Sequence, residues 1–490
     1  MNNFIYLLAV FIPIAAGAAL FCMSRAENRT QDMFFAGALI AEALFLLGII
    51  IRPAYDGLML FSVTEVLSFE LRPDSLSRIF LSILAVGFLL SGIFAIKYMK
   101  HSSRQNVFYA FMLFSEGALA GMDISANLIT MYMFFEMATL LSMPLVLHDR
   151  TEASIKAALK YLFYSIAGAF LGLLCIFFVA AHCDTLSFVP GGTLNAASMS
   201  EHRGLLLKVI FIGVVGFGAK AGMYPLHGWL PTAHPVAPAP ASAVLSAVIT
   251  KAGVLAIVRL IYYIAGASFL RGTWVQYAWI CLALITVFMG SMMAFREDVF
   301  KKRLAYSSVS QLSYVLVGLF LMTADSLKGG LLHVFFHSCI KTCLFLTAGS
   351  CIVNLEKTKV SELRGIGKSM PVTLWSFTFA SLGLVGIPPA AGFVSKWFLA
   401  VGALDAGIPA LSVLTPVILL ISALLTAGYL LPIMIRGFFP GKDFKAPARS
   451  DEGGLLMLFP IVTLAALTML LGIFAAPIAS YLDMVISVVL

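Results

Sequence analysis

His333, His337 and Lys341 recur at every fourth position of the stretch 332–341. On a helix that spacing puts all three on one face. Imidazole titrates near neutrality, so two histidines and a lysine in a row suit a proton relay. Four further ionisable residues sit inside apolar stretches: Glu136, Lys220, Lys251 and Lys396. A charge at mid-bilayer costs roughly 2.5–3.5 kcal/mol, so several in one chain need a reason. The competing reading is a set of purely structural buried pairs. A zinc site needs more ligands than the sequence offers. A haem site needs facing histidines on separate helices, and the spare ones, His227 and His234, fall in a proline-rich segment. Lys160 and Arg259 lie near the ends of apolar runs, where long side chains can snorkel to water. Glu42 reads as a structural partner or a lipid-facing accident, and Glu116 is an additional carboxylate on the stretch before Glu136.

Two broken helices must position these groups. In residues 213–259, two apolar runs carrying Lys220 and Lys251 flank Pro225, Pro231, Pro235, Pro238 and Pro240. Proline lacks a backbone donor and breaks a helix. In a bilayer the freed carbonyls are tolerated only beside protein or water. Residues 371–402 repeat the pattern, with Gly383, Gly386, Pro388, Pro389 and Gly392 followed by Lys396. Paired interrupted helices mark inverted repeats in transporters.

The composition places all of this in a membrane. The chain has 490 residues, 61% of them hydrophobic and only 11% charged, against roughly 25% charged in soluble domains. No polar stretch is long enough for a soluble domain. Residues 1–23 lack a basic leader and a cleavage signature, so they read as a retained helix. The cysteines (22, 175, 183, 281, 339, 343 and 351) form no CxxC and read as small core residues. There is no GxGxxG or GxxxxGK[ST] motif, so no nucleotide site and no redox cofactor is expected in this chain. Loop topology accounts for the formal charge of +8 without nucleic acid.

The expected fold is an all-α polytopic membrane protein of about fourteen spans: 3–23, 32–52, 76–97, 107–123, 126–147, 157–181, 205–224, 241–264, 274–295, 303–323, 327–353, 371–402, 411–436 and 454–484. Basic residues concentrate in alternate loops, among them Arg25, Lys97, Arg150, Lys301, Lys357, Lys442, Lys445 and Arg449. The positive-inside rule then puts those loops in the cytoplasm and both termini outside. Residues 1–106 form an N-terminal section, 107–264 and 265–436 two five-helix repeats of opposite direction (spans 4–8 and 9–13), and 437–490 a C-terminal helix. Residues 53–75 read as a short hairpin around Phe61 to Phe69, and 182–204 as a loop.

Glu136 should face a cation, and Lys220 is the expected partner. Pairing keeps both charged, and separation frees the lysine to pass a proton on. The expected order is Lys220, Lys251, the His333/His337/Lys341 face, then Lys396. Ser307, Ser308, Ser310, Gln311 and Ser313 are placed to order water between them.

At these residues the chain resembles the antiporter-like family of proton-translocating membrane subunits. That family includes the large membrane subunits of respiratory complex I, the A and D subunits of Mrp antiporters and their counterparts in membrane-bound hydrogenases. The matching stretches are FFEMATLLSMPL (134–145), AALKYLFYSIAGA (157–169), 220–260, KKRLAYSSVSQLSYVLVGL (301–319), LLHVFFHSCIKTCLFLTAGS (331–350) and GIPPAAGFVSKW (386–397). The resemblance implies a glutamate on helix 5 (Glu136), lysines on helices 7 and 8 (Lys220, Lys251), histidines on helix 11 (His333, His337) and a terminal lysine on helix 12 (Lys396). The sequence departs from the pattern with Phe135 where tryptophan is usual and Thr232 after Trp229-Leu230-Pro231.

The resemblance implies a proton-moving subunit of a larger complex in a bacterial or archaeal cytoplasmic membrane, with other membrane subunits as partners and electron chemistry left to them. The alternatives are a Na⁺/H⁺ antiporter subunit without electron transfer, with Glu116 and Glu136 as the carboxylate pair; a redox enzyme in its own right; and a membrane scaffold that conducts nothing.

Overall fold

The computed structural model describes residues 3–52, 56–62, 64, 68–102, 104–441, 444 and 451–490. The chain opens with α1 (Phe4–Cys22) and α2 (Asn28–Ile50), then a hairpin of β1 (Leu58–Ser62) and antiparallel β2 (Ser68–Leu71). Phe61 stacks on Phe69 across the hairpin at 5.2 Å. The rest of the expected hairpin, residues 53–55, 63 and 65–67, lies outside the described residues, as do Lys442, Lys445 and Arg449. Four long helices follow: α3 (Ser75–Tyr98), α4 (Gln105–Asp123), α5 (Leu128–Val146) and α6 (Glu152–Ala180). A helix leaves its first N–H groups unpaired, and in an oily setting each needs an acceptor. Asp74, Asn127 and Thr151 supply side-chain acceptors at the starts of α3, α5 and α6.

The expected loop 182–204 contains one short helix, α7 (Ala196–Glu201), and leads into α8 (Arg203–Lys220). There the first break begins. Gly222 takes a left-handed φ of 75°, the Tyr224–Pro225 bond is cis, and Trp229 Nε1 donates to the Ala219 carbonyl at 2.9 Å. Beyond it come α9 (Leu230–Val236), α10 (Ala239–Val244) and α11 (Thr250–Val258). Two π-helical turns, Leu245–Ile249 and Arg259–Ala265, complete a continuous helical run from Ala239 to Ala265.

The second half runs through α12 (Ala267–Leu270), α13 (Trp274–Arg296), α14 (Phe300–Leu321), α15 (Ala324–Leu355), α16 (Ile366–Ser369), α17 (Pro371–Val385) and α18 (Ala391–Leu404). It ends in α19 (Leu411–Phe438), α20 (Leu455–Ile473) and α21 (Ala475–Val489). The second break separates α17 from α18. It contains Gly386, at φ 91°, and a cis bond between Pro388 and Pro389.

Among the described residues, eleven helices are long and apolar enough to cross a membrane. The other three expected spans are α4, α8 and the interrupted α17–α18 pair. Arg203, Lys208 and Lys220 all fall within α8. One expectation is corrected: residues 454–484 are not a single helix. The chain leaves helical geometry at Phe474, where ψ is 39°, and restarts as α21.

Burial identifies the centre. The most apolar parts of α14 and α15 are 94% buried and that of Ala239–Ala265 fully so, against 33% for α1, α2 and α20. Small residues let helices approach there. A Cβ on Gly290 of α13 would lie 2.8 Å from the Ser310 nitrogen of α14, too close for any side chain.

Candidate lysine–histidine site

The site is built around the first π turn. A π turn shifts the hydrogen-bond ladder by one residue and leaves carbonyls free for other donors. Lys251 Nζ takes the Ser246 carbonyl at 2.6 Å, and Thr250 Oγ1 takes the same oxygen at 2.8 Å. Ser338 of α15 donates to the next carbonyl, Ala247, at 2.7 Å. That contact fixes α15 against the π turn.

On α15 the three spaced residues are buried. Lys251 Nζ lies 2.9 Å from His337 Nδ1, so a charged Lys251 donates to that nitrogen and the ring proton sits on Nε2. His337 Nε2 is buried and has no hydrogen-bond partner among the described residues. The His337 and His333 rings face each other with centroids 5.8 Å apart. His333 Nδ1 meets Ser395 Oγ at 2.8 Å, and its Nε2 meets Gln311 Oε1 at 3.1 Å. Ser395 directly precedes Lys396 on α18. Lys396 Nζ reaches back over the second break to the Leu384 and Val385 carbonyls, at 2.6 and 2.9 Å. Those carbonyls end α17, where the helix dipole favours a cation. The structure thus brings Lys251, His337, His333 and Ser395 into one contact row, with Lys396 following Ser395 on α18.

Lys341 lies one helical turn beyond His337, on the other side from His333. Its Nζ donates to the Leu304 carbonyl at 2.8 Å and to the Ser307 hydroxyl. The expected serines divide into groups. Ser308 joins Ser246 at 2.7 Å and Gln311 joins His333. Ser310 instead joins Ser291 at 2.8 Å, and Ser313 bonds its own helix at Val309.

The expected Glu136–Lys220 pair is not closed: no ion pair joins them among the described residues. Lys220 Nζ donates to the Phe135 carbonyl at 3.1 Å and to Thr139 Oγ1 at 2.5 Å. Both acceptors belong to α5, the helix of Glu136. The Glu136 carboxylate turns the other way and accepts from Tyr132 at 3.0 Å. It is half-buried, and its neighbours Met133 and Leu140 are 48% and 53% exposed. Lys220 approaches the row through packing, since a Cβ on Gly253 of α11 would lie 3.2 Å from the Lys220 Cβ.

Arg259 does not snorkel. Its guanidinium bridges both carboxylate oxygens of Asp74, at 2.5 and 2.9 Å, with Phe188 and Tyr263 against its face at 4.5 Å. Sequence reasoning left Asp74 unremarked. Its signal was the Asp-Ser-Leu-Ser start of α3, which reads as a helix cap (residues 74–77). Lys160 donates to Thr232 at 3.0 Å, across the first break. Glu42 is fully buried, not lipid-facing. Among the described residues no three of His, Cys, Asp or Glu converge as a metal site requires.

A polytopic bundle with two interrupted helices and a buried lysine–histidine row defines an antiporter-like membrane subunit. Comparison with known proteins narrows the class. Residues 125–426 match the family described as NADH:quinone oxidoreductase/Mrp antiporter, transmembrane, and the chain belongs to that family. It is 34% identical to the N subunit of the NADH-quinone oxidoreductase of Desulforudis audaxviator, over 77% of this chain and 76% of that one. It is 26% identical to the D-type subunit of the Na(+)/H(+) antiporter of Bacillus subtilis, over 99% and 96%. Among solved structures it is similar to a chain of the Mrp complex from Dietzia, with a TM-score of 0.87 and 20% identity, covering 100% of this chain and 98% of that one. A chain of respiratory complex I from Thermus thermophilus aligns with a TM-score of 0.80 and 21% identity, covering 99% of each.

Proposed function

We propose that the chain moves protons through the middle of the membrane along Lys220, Lys251, His337, His333 and Lys396, as one subunit of a multi-subunit membrane complex. The observation that carries this is the contact row from Lys251 through both histidines to Ser395, beside Lys396. Glu136, half-buried on the flank of α5, acts as the switch. In this structure it is turned to Tyr132. Swinging toward Lys220 would draw that lysine from Thr139 and hold its charge. Lys341, bound to Leu304 and Ser307, is the side branch that sets the charge around His337. A membrane potential supplies about 2.3 kcal/mol per charge per 100 mV, comparable with one or two hydrogen bonds, so small rearrangements can gate the row.

The setting we infer is a bacterial or archaeal cytoplasmic membrane with both termini outside. Two relatives that span nearly the whole chain are named as D-type subunits of Na(+)/H(+) antiporters, which favours proton passage exchanged for sodium by the complex.

The test uses the complex in sealed vesicles, with proton movement read by a pH-sensitive dye. Glu136→Ala and Lys220→Ala should each abolish ion-coupled transport while the complex still assembles. Transport at the wild-type rate in either variant would overturn the relay.

A further inference from the structure

Helices α2 and α4 face each other in a constant register. Gln105 Nε2 donates to Gln31 Oε1 at 3.2 Å. One turn on, Tyr109 stacks on Phe35 with ring centroids 4.1 Å apart. Each step advances both helices by four residues, so they run parallel at this seam. Seven residues further along both, the register brings Glu116 opposite Glu42. Glu116 lies close enough for its charge to bear on Glu42, in keeping with this register.

This rung is unlike the others. Glu42 and Glu116 are 0% and 1% exposed. Both oxygens of Glu42 and Oε2 of Glu116 are buried with no hydrogen-bond partner among the described residues. Neither glutamate has an ion pair among the described residues. The titratable groups on the helices packed around them are Tyr6 and Cys22 on α1, Arg78, Lys97 and Tyr98 on α3, Tyr132 and Glu136 on α5 and Lys251 on α11. None of these donates to either carboxyl. On α3, Ser91 Oγ is also buried without a partner, beside Gly92, on which Leu39 of α2 packs. Two carboxylates cannot both stay ionised side by side in a dry interior. A proton satisfies such a pair with two oxygens, whereas a hard metal cation needs about six.

The Asp32 end of the seam reaches the surface. Asp32 is partly exposed, and its Oδ1 accepts from the Tyr109 hydroxyl at 2.8 Å. Tyr109 lies seven residues before Glu116, about 10 Å along the helix.

We propose that Glu42 and Glu116 form a proton-binding carboxyl pair, separate from the lysine–histidine row. The reaction is a proton transfer only: one carboxylate oxygen of the pair takes up a proton that the two groups then share, and the reverse step returns it to water.

The test is infrared difference spectroscopy of the assembled complex, stepped between neutral and alkaline pH, without and with added sodium. The wild-type complex should show the stretching band of a protonated carboxyl. Glu42→Gln and Glu116→Gln, which keep side-chain shape, should each shift or remove it, and the double variant should abolish it. Assembly is checked by size-exclusion chromatography, and Lys156→Ala, at an exposed lysine outside both sites, serves as a control that should leave the band in place. An identical spectrum in wild type and double variant would overturn the proposal. So would sodium removing the band at fixed pH, which would make the pair a sodium site.

Discussion

Lys251 Nζ sits 2.9 Å from His337 Nδ1 and 2.6 Å from the Ser246 carbonyl that the π turn frees. The lysine is held between a titratable ring and a fixed dipole. Removing either side-chain partner should uncouple the row at the same point. Lys251→Ala and His337→Ala should each reduce dye-detected proton transport at least tenfold, and the double variant should do little more harm than either single one. Additive losses in the cycle would show that the two act independently.

The Asp74–Arg259 pair predicts a stability phenotype. It is bidentate, with Arg259 buried and the Asp74 side chain 35% exposed, so removing Asp74 strands a buried guanidinium at a cost of up to about 3–5 kcal/mol. Asp74→Asn and Arg259→Met should lower the melting temperature of the purified complex sharply. Asp74→Leu combined with Arg259→Met should recover part of that loss, because no charge is then left stranded.

Gly386 tests the second break. Its φ of 91° is open to glycine and strained for other residues, and a Cβ there would lie 2.9 Å from Lys396 Cδ. Gly386→Ala should displace Lys396 from the Leu384 and Val385 carbonyls. The expected outcome is severely reduced transport with a stability loss of about 1–3 kcal/mol. Gly407→Ala, a left-handed glycine with open space around it, controls for the backbone cost alone.

A surface loop gives the pH prediction. Burial pushes the Glu297 carboxyl up, but hydrogen bonds from Lys302, at 2.7 Å, and the Val299 N–H, at 3.1 Å, outweigh it and hold Glu297 below its ordinary value. A depressed carboxyl stabilises the fold above its unfolded value of about 4.3 and loses that contribution as pH falls through its folded value. Solvent screening limits the effect to about 0–1 kcal/mol. Glu297→Gln should therefore melt slightly earlier than wild type at neutral pH, with the difference vanishing in acid.

Much of the architecture was legible because apolar length and proline have strong local signatures. The segment around Pro225 and that around Pro388 both break where proline and glycine demand. The helix face of His333, His337 and Lys341 followed from spacing alone. The partners were less legible. Lys220 was matched to Glu136 by charge, yet backbone geometry gives it the Phe135 carbonyl and Thr139. Nothing in Leu245-Ser246-Ala247-Val248-Ile249 announces a π turn, and the groups that meet it, Ser338 and Ser308, lie far away in sequence. Glu42 read as peripheral because its partner stands two helices away in sequence, and only the α2–α4 register brings Glu116 to it.

Lys251, Lys341 and Lys396 each rest on oxygens that belong to no side chain: Ser246, Leu304, and Leu384 with Val385. An alanine scan would leave these acceptors in place and miss them. Replacing single amides by esters, which weakens a carbonyl without touching a side chain, would expose them. The hold on each lysine thus depends on where the main chain runs as well as on which side chains line it.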